Sequence, residues 1–248
     1  MSKIFITFGG PTEYWYKRVD ILCDQAKNMN FFDKVIGYTD KDLKQDEPFW
    51  STHGQFIEQN ERGYGHWLWK SYLIKKTLDQ LNDGDILIYA DSGCQLNNNG
   101  IPRLNEYMDM LHTNEDNYGV ISFKMSHLLE KWYTKMELFT LLNTNEDDRN
   151  SPQSVGGIVL IKKNAHSVHL VNEWYTIASS NYDTINHNRY MEQDPEFCAH
   201  RDDQSVFSLL VKKYGSIKIE DETYFNDWTI GLKTYPILAL RGRHISSI

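Results

Sequence analysis

The chain lacks what a membrane span, a disulfide scaffold or a nucleic-acid-binding surface requires. No apolar run approaches the roughly 18 residues of a transmembrane helix. Cys23, Cys94 and Cys198 are odd in number and far apart, which argues against a disulfide framework or a cysteine zinc motif and suits a reducing compartment. A net charge of −8 argues against a nucleic-acid partner, although a local basic pocket for a diphosphate is compatible with it. Met1–Phe8 runs directly into a strand and lacks the form of a signal peptide, so a cytoplasmic location is expected. No repeat, low-complexity tract or linker divides the sequence, and residues 1–248 are expected to form one domain.

What is present fits a soluble globular protein: 40% hydrophobic and 24% charged residues. Aromatic residues are plentiful, with 15 Tyr and 7 Trp, and serve equally for stacking on sugars or bases and for filling a core.

The informative stretch is Gly63–Cys94. Trp67, Ile74, Leu78 and Leu81 recur at helical spacing with Lys75, Lys76, Asp79 and Gln80 between them, which predicts an amphipathic helix. Asn82-Asp83-Gly84-Asp85 stops it. Ile86–Ala90 is continuously apolar, as in a strand covered on both faces, and Asp91-Ser92-Gly93 follows at once. Ligands of open α/β sheets bind beyond the carboxyl ends of the strands. Asp91 therefore stands where a carboxylate would meet a cation or a hydroxyl, or simply cap a turn. Lys70 falls in the first turn or so of the helix, where a cation opposes the helix dipole and hints at a phosphate.

Around this centre, Lys3–Phe8 and Lys34–Tyr38 read as strands flanking a helix over Tyr14–Met29, a β-α-β start suited to a nucleotide. Gly9-Gly10 is not a dinucleotide fingerprint. Residues 41–62 read as a loop with a short helix. Helices are expected over Leu104–Leu111, 126–142 and Ser167–Ala178, and strands over Tyr118–Phe123 and Ser154–Lys162, the latter with Gly156 and Gly157 near its start. Asp202, Asp203 and Gln204 begin a further helix; one carboxylate suffices as a cap, so the other is expected to face a pocket. The tail holds a strand-like Pro236–Leu240 and then basic Arg241-Gly242-Arg243-His244, suited to folding over a diphosphate or to ending free.

Read in order, Gly-Tyr-Gly-His-Trp-Leu-Trp-Lys, Gly-Asp-Ile-Leu-Ile-Tyr-Ala-Asp-Ser-Gly-Cys, Val-Gly-Gly-Ile-Val-Leu-Ile and Asp-Gln-Ser-Val-Phe resemble the GT-A class of nucleotide-sugar glycosyltransferases. The likeness is to bacterial and viral members with an RGYGYWxWKP…GDIxxYxDxGC pattern, and more distantly to the galactomannan galactosyltransferase and xyloglucan xylosyltransferase group. It covers the chain from the first strand to the Asp203-Gln204 helix.

The resemblance implies an α/β, Rossmann-like single domain with a mostly parallel central sheet. Residues 1–100 would be the nucleotide-binding half and 101–248 the acceptor half. A UDP- or GDP-sugar would be the donor and a glycan or glycoconjugate the acceptor. Phe8, Gly9, Tyr38 and Thr39 would surround the nucleotide, with Lys70 near the diphosphate or donor sugar and Arg241 among the donor-binding residues. Asp91, followed by Ser92, would be the first residue of the metal-binding Asp-x-Asp motif. Gly156 and Gly157 would line the donor or acceptor site, and Asp203 and Gln204 would stand near the reacting sugar, with Asp203 or Asp202 the base of an inverting reaction. His244 would complete the shell of a Mn²⁺ or Mg²⁺ ion. Gly93 stands where the second carboxylate of Asp-x-Asp belongs, which leaves one Asp, one His and the diphosphate to hold that ion. The same departure favours a catalytically weakened carbohydrate- or nucleotide-binding module as the alternative. A nucleotidyltransferase would need a longer basic glycine loop than Gly9-Gly10-Pro11-Thr12.

Overall fold

The structure, a computed structural model, describes residues 1–240; Arg241 and His244 lie outside the described residues. The chain opens with β1 (Lys3–Phe8), α1 (Glu13–Asn28) and β2 (Lys34–Tyr38). The segment expected to be mostly loop then forms two helices, α2 (Asp40–Gln45) and α3 (Glu47–Gln59). Thr39 and Asp42 cap α2 reciprocally, Pro48 sits in the first turn of α3, and Phe49, His53, Gly54 and Ile57 are buried at helical intervals. The polar Ser51, Thr52 and Gln55 between those positions, and Glu47 and Glu58 flanking them, mask their period.

The next turn, α4 (Gly63–His66), is wound the wrong way. Gly63, Tyr64, Gly65, His66 and Trp67 all have positive φ, between 50° and 83°. For the three residues that carry a Cβ this costs about 1–2 kcal/mol each. Gly65 is required here twice over: its φ is 83°, and a Cβ would lie 2.7 Å from Ile57 Cγ1. The turn is held by backbone bonds from Gly65 N to Asn60 O (2.8 Å) and His66 N to Arg62 O (2.8 Å), and by Trp69 Nε1 donating to Gly63 O (3.0 Å). It launches α5 (Leu68–Asp79), whose Lys70 does fall in the first turn.

Then come β3 (Ile86–Ala90), β4 (Gln95–Leu96) and α6 (Ile101–Thr113). β5 (Val120–Leu129) runs six residues beyond the expected end at Phe123, so the helix expected over 126–142 is instead the end of β5 followed by α7 (Glu130–Tyr133) and α8 (Met136–Leu142). Lys135 separates the two helices; fully buried, it donates from Nζ to the carbonyls of Asn186 (2.8 Å) and Asn188 (2.9 Å). After α9 (Glu146–Arg149) the expected Ser154–Lys162 strand divides into β6 (Pro152–Ser154) and β7 (Ile158–Lys162), with Gly156 and Gly157 in the crossing between them. The chain closes with α10 (Ala165–Ser180), α11 (Asp202–Lys213), β8 (Ile217–Glu220), α12 (Trp228–Thr234) and β9 (Ile237–Leu238).

The seven-stranded sheet has the order β2-β1-β3-β7-β5-β6, with β8 also beside β5. β2 and β3 are parallel to β1, β8 is parallel to β5, and β7 is antiparallel to both β3 and β5. β1, β2, β3, β5 and β8 thus share one direction, opposed by β7 and by β6, which is antiparallel to β5. One face packs on α5, α10 and α11 through Leu73, Trp174 and Phe207, and the other on α1 and α6 through Leu22 and Leu104. Among the described residues no helix is long and apolar enough to cross a membrane.

Candidate active site

Strand parity aims the central carboxylate. Along β3, Leu87 and Tyr89 face one core while Ile86, Ile88 and Ala90 face the other. Asp91, two residues after Tyr89, continues on the Tyr89 side, and the Tyr89 hydroxyl donates to Asp91 Oδ1 at 2.5 Å. The loop after Asp91 is pinned from behind: the buried Arg18 guanidinium donates to the carbonyls of Ser92 (2.9 Å) and Cys94 (2.6 Å). Arg18 has an anchoring role that no spacing in the sequence announced.

Beneath Asp91 lies Lys70. Its Nζ is 3.2 Å from Asp91 Oδ1 and 3.0 Å from Asp203 Oδ2, and it donates to Gly156 O at 3.3 Å. Burial favours a neutral amine, but Asp203 and Asp91 outweigh it and raise the Lys70 pKa, so the ammonium persists. Burial pushes the Asp203 carboxyl up to about 7; Lys70 opposes this, and Asp91 and Asp202 add to it. The glycine crossing completes the floor. Gly157 O accepts from Asp91 N at 2.8 Å, and a Cβ on Gly157 would lie 2.6 Å from Asp91 Oδ2. Gln204 Oε1 accepts from Gly156 N (3.2 Å), while its Nε2 donates to Gln153 Oε1 (2.8 Å). Asp91, Lys70, Gly156–Gly157 and Asp203–Gln204, drawn from four separate stretches of chain, therefore meet at one place.

Above them opens a cleft of about 1150 Å³ at the carboxyl ends of β1 and β3. Phe8, Gly9, Asp91, Ser92, Gly157 and Gln204 line it. Lys70, Gly156 and Asp203 do not; they form the layer below, with Asp203 only 3% exposed. Tyr38 and Thr39, expected around a nucleotide, also stay outside the lining. The Tyr38 hydroxyl pairs with Thr77 Oγ1 (3.1 Å), and Thr39 is occupied in capping α2. Sequence reasoning passed over Trp15, Tyr64, Trp67, Glu58 and Glu61 as cleft residues. Tyr64 and Trp67 had a signal in the Gly-Tyr-Gly-His-Trp run; the two glutamates had none.

Asp202 is not part of the cleft lining. Its backbone has φ of 50°, and its side chain, 2% exposed, takes His66 Nδ1 on Oδ1 (2.6 Å) and Arg62 Nη2 on Oδ2 (2.9 Å). His187 Nε2 lies 3.2 Å from Oδ1. Burial alone would raise the Asp202 pKa, but His66 and Arg62 outweigh it and lower it. A carboxylate held in this way neither reaches an acceptor nor takes its proton, so the expectation that Asp202 serves as a base is set aside.

Divalent-metal chemistry at Asp91 meets a thin donor set. Oδ1 is already committed to Tyr89 and Lys70, which leaves Oδ2, and Gly93 contributes no second carboxylate. Among the described residues the one group of three His, Cys, Asp or Glu side chains close enough to share an ion is His66, His187 and Asp202, not a group at Asp91. The described residues alone do not make a Mn²⁺ or Mg²⁺ site there.

No protein-family model matches the chain, and no curated protein matches it in sequence. Solved structures do match. A glycosyltransferase involved in the glycosylation of the major capsid of PBCV-1 aligns over 100% of both chains, with a TM-score of 0.54 at 9% identity. The fold is that of GT-A glycosyltransferases. The bifunctional glycosyltransferase WbbM aligns with all of this chain and 46% of its own length, with a TM-score of 0.50 at 13% identity. A GT-A fold accounts for a parallel β2-β1-β3 edge whose carboxyl ends open on the cleft.

Proposed function

We propose that the chain is a glycosyltransferase that moves a sugar from a nucleoside-diphosphate sugar to a hydroxyl of a glycan or glycoconjugate. The observation that carries this reading is the convergence of Asp91, Gln204 and the Gly156–Gly157 crossing on one cleft floor, with the Lys70 ammonium directly beneath. In the reaction the bond from the anomeric carbon to the diphosphate oxygen breaks, and a bond to the acceptor oxygen forms. Positive charge develops on the sugar ring and negative charge on the leaving group. Asp91, half-exposed above Lys70, is placed to meet the sugar side of that charge, and Gln204 supplies a neutral amide beside it. Asp203, buried under Lys70, is a positioning residue: it helps keep the ammonium charged and aimed.

The lining also bears on how a diphosphate would be held. Lys44 and Arg201 are the charged cations there, against the carboxylates Glu58, Glu61, Asp91 and Asp221. A donor must bring or recruit positive charge, and a Mn²⁺ or Mg²⁺ ion carried on its diphosphate or the Arg241 side chain would supply it. The binding-module reading rests on Gly93 and the thin donor set at Asp91.

The test is release of nucleoside diphosphate from a panel of UDP- and GDP-sugars, with Mn²⁺ or with a chelator, by the wild type and Asp91→Asn. Turnover that falls at least 100-fold in the variant supports transfer. A rise in melting temperature with a sugar nucleotide but no turnover moves the chain to the binding module. Neither binding nor turnover overturns both readings.

A further inference from the structure

We propose that His66, His187 and Asp202 form a binding site for one divalent transition-metal ion, best matched by zinc, outside the lining of the cleft. The site stands independently of the sugar-transfer reading, since none of the three residues lines the cleft.

The ligand atoms, His66 Nδ1, His187 Nε2 and Asp202 Oδ1, all lie within 4.8 Å of one another. Two imidazoles and one carboxylate are a donor set that zinc takes at about 2.0–2.2 Å, with a fourth position left for water. His187 is the exposed member of the set and supplies the side from which water and metal enter. Tetrahedral ligands at those lengths stand roughly 3.3 Å apart. His187 Nε2 and Asp202 Oδ1 are already at 3.2 Å, and His66 Nδ1, at 2.6 Å from the same oxygen, needs to withdraw by less than an ångström.

Hydrogen bonding alone uses this geometry poorly. Oδ1 faces His66 Nδ1, His187 Nε2 and Arg62 Nε (3.2 Å) at once, so both rings must hold a proton on the nitrogen aimed at one oxygen. A metal ion uses the lone pairs of both rings instead. Arg62 Nη2 remains on Oδ2 at 2.9 Å, the outer partner that orients a ligating carboxylate. Its charge opposes the ion, but its side chain is 52% exposed and the opposition is screened. The backbone supports the same view. His66 (φ 53°) and Asp202 (φ 50°), from segments 136 positions apart, both hold left-handed conformations and meet through their side chains, and such strained conformations gather at ligand clamps. An ion here ties α4, the 181–200 excursion and the start of α11 together, one residue from Asp203.

Tag-free full-length protein, stripped with a chelator and dialysed, is titrated with Zn²⁺ by calorimetry and with Co²⁺ by visible absorption. The expected result is one equivalent of Zn²⁺, a four-coordinate Co²⁺ spectrum, and a melting temperature raised by Zn²⁺. His187→Ala, at the exposed ligand, weakens Zn²⁺ binding at least tenfold and abolishes the thermal shift, whereas Asp91→Asn binds as the wild type does. No stoichiometric binding, or binding unchanged in His187→Ala, overturns the proposal.

Discussion

Asp202 and Asp203 are neighbours in sequence and opposites in environment. Asp202 sits among His66, Arg62 and His187, and its acidity is strengthened in spite of burial. Asp203, one residue on, is equally buried but meets a single ammonium shared with Asp91, and its pKa is raised to about 7. Burial is common to both, so the number of donors decides. Asp202 is a well-supplied clamp behind the wall. Asp203 is a poorly supplied partner under the cleft floor, and that scarcity leaves Lys70 tied to Asp91 as well. The helix-start motif therefore serves two purposes, one through each set of partners.

The contrast breaks at Lys70 first. Lys70→Ala leaves Asp203 buried without a cation, and the expected loss of stability at neutral pH is about 3–5 kcal/mol, read from the denaturant midpoint. The loss should shrink on acidification, because Asp203 can then take a proton; a loss that does not change with pH sinks the pairing. Asp91→Asn removes the charge shared with the cleft, and turnover should fall at least 100-fold while the melting temperature moves little, since Asp91 is 38% exposed. Next come opposite pH signatures. A raised carboxyl stabilises fully below its ordinary value of 3.8 and loses that contribution as pH rises through about 7, so Asp203→Asn should flatten a decline in stability across that window. The lowered Asp202 stabilises above the ordinary value and loses its contribution as pH falls through its folded value, so Asp202→Asn should flatten the acid-side decline instead. Midpoints measured across pH for both variants decide whether the signs differ. The smallest effect is expected for Arg62→Ala, about 1 kcal/mol or less, because its contact is half in solvent and screened.

Much of the frame was legible because it follows simple periods. The apolar run Ile86–Ala90 reads as a doubly covered strand and is one, buried throughout. The segments around Asp91, Lys70, Gly156 and Gln204 were expected to share a site, and the sheet brings them together. Elsewhere tertiary contacts decided. α3 was hidden because Glu47, Gln55, Glu58 and Gln59 dilute the period that Phe49, His53 and Ile57 carry. The left-handed winding of α4 has only two glycines to announce it, and Tyr64, His66 and the following Trp67 are forced by their neighbours. Tyr38 ends β2 as expected and Thr39 follows it, but Thr77 and Asp42 claim their side chains. Nor could spacing show which of two adjacent carboxylates would meet Lys70; three-dimensional neighbours from residues 62, 66 and 187 settle it.

One feature of β3 reaches beyond its own length. Leu87, Tyr89 and Asp91 are odd-numbered positions on one side of a sheet whose side chains change sides at every step. A single-residue insertion between Ile86 and Ala90 would rotate Asp91 to the α1 side, and the residue delivered above Lys70 would be Ala90, which has no charge. Two inserted residues would restore the side but carry Asp91 about 6–7 Å past Lys70 and deliver Tyr89 in its place. Tolerance of the fold to insertion in this strand should therefore alternate with the count, whereas turnover should be lost with one inserted residue and with two.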